Sequence, residues 1–412
     1  MPRFTFSAGN ARKLLALPLY ALGAIAAAVV PRRLDAWVFG SGPGIGEGAL
    51  ELFRYVRAEH PSIRAIWLAK DETDVAVAAG LGIRSVVKTS ARGLLATLRA
   101  EVIVVTHGFG DANRYGTRGA FVVQLWHGIP LKLIQLDSPA TLSLGIPGAG
   151  RLRGPLRRFY RRGFAGISLM PAASELSAQR LRTAFGLPES RVVVTGDPRD
   201  DVLARPTPAR DELFSRLGVA DHGQRTVLFA PTWRDGEPDP GAPTAAEWQS
   251  IVGFLDASDA LLVVRPHHLG VGDYAAGPLA SPRVRMLGAE LQTDITPLLP
   301  AFDTLITDYS SIAFDYSLTG GPIFYFAPDQ ETYTTSRGLY EPYRRYSGGR
   351  EVRSWTALLG QLERFAADAD WAADVLAHTA EIAARHFEFH DGENTARVFE
   401  AIRLSTRREG NG

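Results

Sequence analysis

A histidine at the end of an apolar run is well placed to move a proton, and His127 is such a residue. Val123-Gln124-Leu125-Trp126 leads into it, and Gly128-Ile129-Pro130-Leu131-Lys132 follows. A neutral imidazole near physiological pH accepts a proton from a hydroxyl group, which lysine and arginine cannot do there. A histidine merely hydrogen-bonded at a strand end has the same local sequence. The company of a scarce lysine, Lys132, and a Gly-Ile-Pro turn favours the chemical reading. A second run, Leu262-Val263-Val264, ends in Arg265-Pro266-His267-His268. An arginine beside an imidazolium neutralises a diphosphate and steadies charge gathering on a leaving phosphate. His268 reads as a solvated neighbour.

A third run, Leu305-Ile306, ends in Thr307-Asp308-Tyr309-Ser310-Ser311 and then an amphipathic stretch. Ser310 or Ser311 can cap a helix there, and the first-turn amides with the helix dipole make an anion site. A capped helix without a ligand reads the same way. Thr232 and Arg234 follow the run Thr226–Phe229 and are expected on the same edge. Near the start, Gly40-Ser41-Gly42-Pro43-Gly44-Ile45-Gly46 follows an apolar run, and Gly44, Gly46 and Ala49 loosely satisfy a dinucleotide fingerprint. A nicotinamide enzyme wants an acid ending the next strand, but Asp71 lies beyond it, so Gly44 and Gly46 are read as a tight strand-to-helix turn facing a cleft.

These residues need strands to deliver them. Short β-rich runs fall at Ala36–Phe39, Ala65–Leu68, Val102–Thr106, Phe121–Leu125 and Val192–Thr195, with helical stretches such as Leu50–Arg57 and Leu176–Phe185 between several of them. The pattern resumes with Thr226–Phe229, Ala260–Val264, Thr304–Thr307 and Ile323–Phe326, without an internal sequence repeat. Residues Gly196–Pro208 read as the linker, and Asp235–Pro243 as an exposed excursion. The expected domains are an apolar segment 1–35, a Rossmann-like domain 36–205, a second one 206–375, and closing helices 376–412 that pack back on the first. In open parallel sheets, ligands bind at the C-terminal strand ends, so both sets of strand exits are expected on one cleft.

Composition limits the alternatives. With 412 residues, 46% hydrophobic and 22% charged, the chain suits two folded domains. The absence of cysteine excludes disulfides, thiolate metal sites and cysteine nucleophiles, and a net charge of +1 argues against a nucleic-acid binder. Only Lys13, Lys70, Lys88 and Lys132 among 45 basic residues are lysines; the arginine excess is either a coding bias or a phosphate-facing surface. Leu14 to Val30 is almost wholly apolar between basic flanks, with Pro18 and Gly23 weakening it as a helix. A membrane-docking element, a signal peptide and a self-packed helix all fit. Arg151 to Arg162 is a basic amphipathic stretch, read either as facing an anionic membrane surface or as a solvated helix face. His386-Phe387-Glu388-Phe389-His390 suggests a metal site, but no other cluster completes it, and no metal or cofactor is expected.

Trp126-His127-Gly128, Arg265-Pro266-His267, and Thr307-Asp308-Tyr309-Ser310-Ser311 with Phe314-Asp315-Tyr316, in this order, resemble the CDP-glycerol glycerophosphotransferase family of teichoic-acid biosynthesis. Thr195-Gly196-Asp197-Pro198-Arg199-Asp200, Ala230-Pro231-Thr232-Trp233-Arg234, Asp391-Gly392 and Arg397-Val398 match as well. Asp197 and His268 depart from the residues common there, outside the core motifs.

The resemblance implies a GT-B fold and a peripheral enzyme on the cytoplasmic face of the membrane. It also implies transfer of glycerol phosphate or a related polyol phosphate from a CDP-polyol to a prenyl-diphosphate-linked saccharide or polymer, with release of CMP. By the same resemblance His127 is the catalytic base and His267 a second essential residue at the donor phosphates. Asp308, Ser310 and Ser311 then bind the donor's phosphates or ribose, with Arg265, Thr307, Thr232 and Arg234 on the donor side. Gly44, Gly46 and Lys132 belong to the acceptor or the cleft. A nucleotide-sugar glycosyltransferase and a capsule polyol-phosphate polymerase are the other enzymatic readings. A non-catalytic lipid- or polyanion-binding protein is opposed by the intact histidines and Ser-Ser turn.

Overall fold

The structure, a computed structural model, describes residues 17–139, 141–142, 153–205, 208–234, 238–266, 272 and 274–409. The described chain divides into two compact units: an N-terminal unit of 17–128, 134–204 and 387–409, and a C-terminal unit of 129–133 and 205–386.

The N-terminal unit runs α1 (Leu17–Val29), β1 (Arg33–Gly40), α2 (Glu47–Glu59), β2 (Arg64–Ala69), α3 (Glu72–Gly80), β3 (Ser85–Val87), α4 (Ala91–Arg99), β4 (Ala100–Val105), β5 (Phe121–Gln124), α5 (Arg153–Phe164), β6 (Met170–Ala172), α6 (Glu175–Phe185) and β7 (Val192–Val194). Its sheet is parallel in the order β3-β2-β1-β4-β5, and β6 pairs with β7 beside it. Apolar residues fill successive positions of β4, as they must in a parallel strand covered on both faces. Ala49, Leu52, Phe53 and Val56 recur at helical spacing along α2 and are buried against Phe39 and Trp67.

The C-terminal unit runs α7 (Ala209–Leu217), β8 (Arg225–Ala230), α8 (Ala245–Ala257), β9 (Ala260–Val264), α9 (Ala276–Ala280), β10 (Val284–Met286), β11 (Thr304–Thr307), α10 (Ile312–Ser317), β12 (Ile323–Tyr325), α11 (Gln330–Arg337), α12 (Tyr343–Ser347), α13 (Trp355–Ala367) and α14 (Ala369–His386). Its parallel sheet has the order β10-β9-β8-β11-β12, which repeats the topology of the first although the sequence shows no repeat. In both sheets the strand order reverses beside the first strand, between β1 and β4 and between β8 and β11. A crevice opens at the C-terminal ends of such a pair.

The last helix, α15 (Asn394–Glu409), belongs to the N-terminal unit, where Val398, Phe399 and Ile402 join the core of Trp37 and Phe39. Within the closing helices the division therefore falls at 386/387, not at 375/376. The expected linker is also different. Pro198–Leu203 is a 3₁₀ helix whose Asp197 side chain accepts from the Arg199 amide, and Pro198 to Asp201 are buried. Asp201 accepts from the Asn394 amide at 2.9 Å, the Thr395 amide at 2.7 Å and the Thr395 hydroxyl at 2.6 Å, fixing the start of α15. Gly196, at φ +76°, lies so close to Asn394 that a Cβ there would sit 2.0 Å from the amide oxygen. Asp201→Ala leaves those donors without an acceptor and is expected to destabilise the protein by about 2–4 kcal/mol, read as a lower urea midpoint.

One further expectation is revised. The described part of the 235–243 excursion is tied down: Asp239 accepts from the Tyr274 hydroxyl at 2.5 Å, and the Trp355 indole donates to the Gly241 carbonyl at 3.0 Å. In the N-terminal segment, α1 sets Tyr20 edge-on to Tyr115 at 5.1 Å and leaves Leu22, Ile25 and Val29 exposed. Among the described residues, no helix is long and apolar enough to cross a membrane.

Candidate active site

In the N-terminal unit the exits of β1, β4 and β5 carry one polar cluster. Past β5, Trp126 adopts φ +67° and Gly128 φ +111°, a reversal that turns the side chain of His127 out of the strand direction. A left-handed conformation at a bulky residue costs of order 1–3 kcal/mol and persists only where packing enforces it. The Trp126 indole provides that packing, edge-on to Phe185 at 5.2 Å within the cluster around β6 and α6.

The Nδ1 atom of His127 lies 3.4 Å from the Thr106 carbonyl. A carbonyl only accepts, so Nδ1 bears the hydrogen and Nε2 keeps its lone pair. Burial, then the neighbouring His107 and Arg199, hold the pKa of His127 well below the ordinary imidazole value, against the weaker upward pull of the Thr106 contact. The ring is therefore neutral at physiological pH, as a general base requires.

His107 was not singled out from the sequence, although it ends the run Val102–Thr106 and precedes Gly108 just as His127 precedes Gly128. Its ring stacks on that of His127 with centroids 4.0 Å apart and planes 2° from parallel. Asp111 clamps the loop beneath it by accepting from the amides of Thr106, His107 and Gly108 at 3.0, 2.6 and 3.2 Å. The glycine-rich turn fits this loop: a Cβ on Gly42 would lie 2.7 Å from Cγ of His107. Gly44, at φ +136°, sits beside Asp74, and Gly46 is extended and starts α2. Glu47 follows at φ +57°, and its carboxylate accepts from the Ser41 hydroxyl at 2.6 Å.

The C-terminal unit gathers its polar residues at the β8 and β11 exits. Arg234 pairs with Asp329 through both carboxylate oxygens, at 2.7 and 2.8 Å, and with Asp308 at 3.1 Å. Asp308 also accepts from the Thr232 amide at 2.9 Å. The guanidinium carbon of Arg234 lies 4.7 Å from the Tyr333 ring centre and 5.2 Å from that of Tyr309, and those two rings stack at 4.0 Å. Burial opposes the charge on Arg234, but Asp329 and Asp308 outweigh it and hold the guanidinium more firmly charged than usual.

Several residues expected at the donor are engaged internally. Asp308 is 3% exposed and Arg234 7% exposed, so this pair braces the two strand exits and presents little surface to a ligand. Thr307 is fully buried and donates to the Ala230 carbonyl at 2.7 Å. The guanidinium of Arg265 donates to the carbonyls of Leu287, Gln292 and Thr293 at 3.2, 2.8 and 3.0 Å, holding the loop after β10. Lys132 belongs to the C-terminal unit and donates to the Tyr333 hydroxyl at 3.0 Å.

Ser310 and Ser311 retain partly exposed side chains at the start of α10, with Ser310 Oγ 3.4 Å from the Ile312 amide. Thr232 Oγ1 is buried and has no hydrogen-bond partner among the described residues. His267 and His268 lie outside the described residues.

The family described as CDP-Glycerol:Poly(glycerophosphate) glycerophosphotransferase matches residues 27–404. The chain belongs to that family. Among its relatives, the teichoic acid ribitol-phosphate polymerase TarL of Staphylococcus aureus (strain NCTC 8325 / PS 47) is 26% identical over 303 residues, covering 68% of this chain and 47% of that one. The teichoic acid glycerol-phosphate transferase of the same strain is 26% identical over 338 residues, covering 76% and 79%. The chain thus spans about half the length of the polymerases it matches and most of the shorter transferase.

The structure of the wall teichoic acid polymerase TagF superposes with a TM-score of 0.75 at 20% identity, covering 98% of both chains. That likeness establishes the fold: α/β of the GT-B class, with two Rossmann-like units. A histidine variant of TagF has been soaked with CDPG.

Proposed function

We propose that this glycerophosphotransferase family member moves glycerol phosphate, or a related polyol phosphate, from a CDP-linked donor to a hydroxyl of a membrane-linked saccharide or teichoic-acid acceptor. The observation that carries this reading is a neutral His127, with its Nε2 lone pair available, in a chain that matches the family over residues 27–404. Nε2 takes the acceptor's hydroxyl proton as that oxygen attacks the distal phosphorus. The bond from this phosphorus to the bridging oxygen breaks, and CMP leaves with the electron pair. Ser310 and Ser311 bind donor oxygens, while Arg234 and Asp308 brace the strand exits beside them and Arg265 holds the loop after β10. His267 is proposed to assist at the donor phosphates, and no metal is required.

The polyol is open between glycerol and ribitol, since relatives named for both match the chain. Peripheral attachment to the inner membrane face is part of the proposal. It is supported by the exposed apolar residues of α1 and by the arginines at 153, 157, 158, 161 and 162 along α5. Purified protein given CDP-glycerol, CDP-ribitol or UDP-sugars with a prenyl-diphosphate-linked saccharide, with and without EDTA, is expected to release CMP from a CDP-polyol and to extend the acceptor. UDP release with no CMP would overturn the reading in favour of a sugar transferase; loss of CMP release in EDTA would overturn metal independence.

A further inference from the structure

Beside His127 lies a directed chain of hydrogen bonds. The Ser41 hydroxyl donates to the Glu47 carboxylate at 2.6 Å, and the Thr106 hydroxyl donates to Ser41 Oγ at 3.0 Å. With its only hydrogen so used, Thr106 Oγ1 must accept from the His107 Nδ1 atom 2.9 Å away. The Glu47 carboxylate is also 3.5 Å from that nitrogen. All these donors point toward one anion, which ties the His107 ring through two hydroxyls to the Glu47 carboxylate.

We propose that His107 is a positioning residue for the base: linked through Thr106 and Ser41 to Glu47 and stacked on His127, it holds that ring still and keeps its lone pair free of a proton. Two parallel imidazoles 4.0 Å apart do not both become cations, so a proton taken by His107 is denied to His127. Other charges facing the pair act around this coupling. Arg199, from the 3₁₀ helix, repels a proton on His127, while Asp111, itself facing Lys88, holds the backbone of His107. Backbone strain brackets the arrangement, since Glu47 at φ +57° and Trp126 at φ +67° are both non-glycine residues in the left-handed region.

This inference rests on His127 being the base, so its test uses a readout that needs no turnover. The ring protons of His127 are followed by NMR through a pH titration of the whole protein, with His127→Gln supplying the assignment. In His107→Phe, which keeps an aromatic plane and removes the charge, His127 is expected to titrate about half a pH unit higher or more. Glu47→Gln is expected to shift it in the same direction. The acid limb of kcat/KM should move with it, so at the wild-type midpoint the rate falls to about half or less, while a purely structural defect lowers rates at every pH without moving the limb.

An unshifted His127 titration in folded His107→Phe overturns the proposal. Should that variant fail to fold, Glu47→Gln decides by the same measurement. A shifted titration in a protein that never releases CMP keeps the coupling and removes the reaction.

Discussion

His127→Ala is expected to lower kcat by about 10²–10⁴-fold, the range over which a positioned proton acceptor contributes to a transfer step. Donor affinity should change by no more than a few fold, because the residues proposed to meet the donor belong to the C-terminal unit. The geometry explains the size of the effect. His127 has one ring nitrogen committed to the Thr106 carbonyl and the other left with its lone pair, in surroundings that keep it neutral. Single-turnover assays with labelled CDP-polyol separate the chemical step from binding. A variant within tenfold of wild type in that step would remove His127 from the role of base.

The second large effect concerns stability. Arg234→Met is expected to cost about 3–5 kcal/mol, because it leaves buried carboxylates without their counter-charge. Asp308, at 3% exposure, loses its only ion pair among the described residues, and Asp329 loses a two-point contact. The faces of Tyr309 and Tyr333 lose the cation lying over them as well. Adding Asp308→Asn and Asp329→Asn to Arg234→Met should recover part of the loss, since replacing a whole buried ionic group is far milder than removing one member. Urea unfolding of the three proteins measures this. Equal midpoints for wild type and Arg234→Met would show the network to be energetically idle.

The strand exits were legible in the sequence because buried parallel strands are written as apolar runs, and each run ended where the polar residues began. β3, β6 and β10 were not: Ser85, Pro171 and Arg285 interrupt these three-residue strands, whereas the equally short β7 and β12 are unbroken β-branched and aromatic runs. Within the site, His127 could be read from its neighbours. His107 carried the same signature, a histidine-glycine pair after an apolar strand, and was open to the same argument. What no local pattern records is which polar groups are engaged with one another. Arg234 and Asp329 are separated by 95 residues, and Thr307 reaches a carbonyl 77 residues away. Arg265, Asp308 and Arg234 therefore read as ligand-facing when their contacts are internal. The reach of Asp201 to residues 394 and 395 likewise turned an apparent linker into a buried helix.

The place of α15 sets an order of events during synthesis. Phe399 stacks on His60 at 3.9 Å and lies 5.5 Å from Trp37, so the hydrophobic centre built on the first strand is incomplete until residue 399 has been made. The C-terminal unit is encoded almost entirely between those two contributions. At about 5–20 residues per second, a ribosome leaves the amino-terminal sheet lacking this helix for some ten seconds or more. Nascent chains stalled before residue 394 should accordingly expose the surface around Trp37 and Tyr55 to proteases and chaperones, whereas the C-terminal unit, whose residues end at His386, can close first.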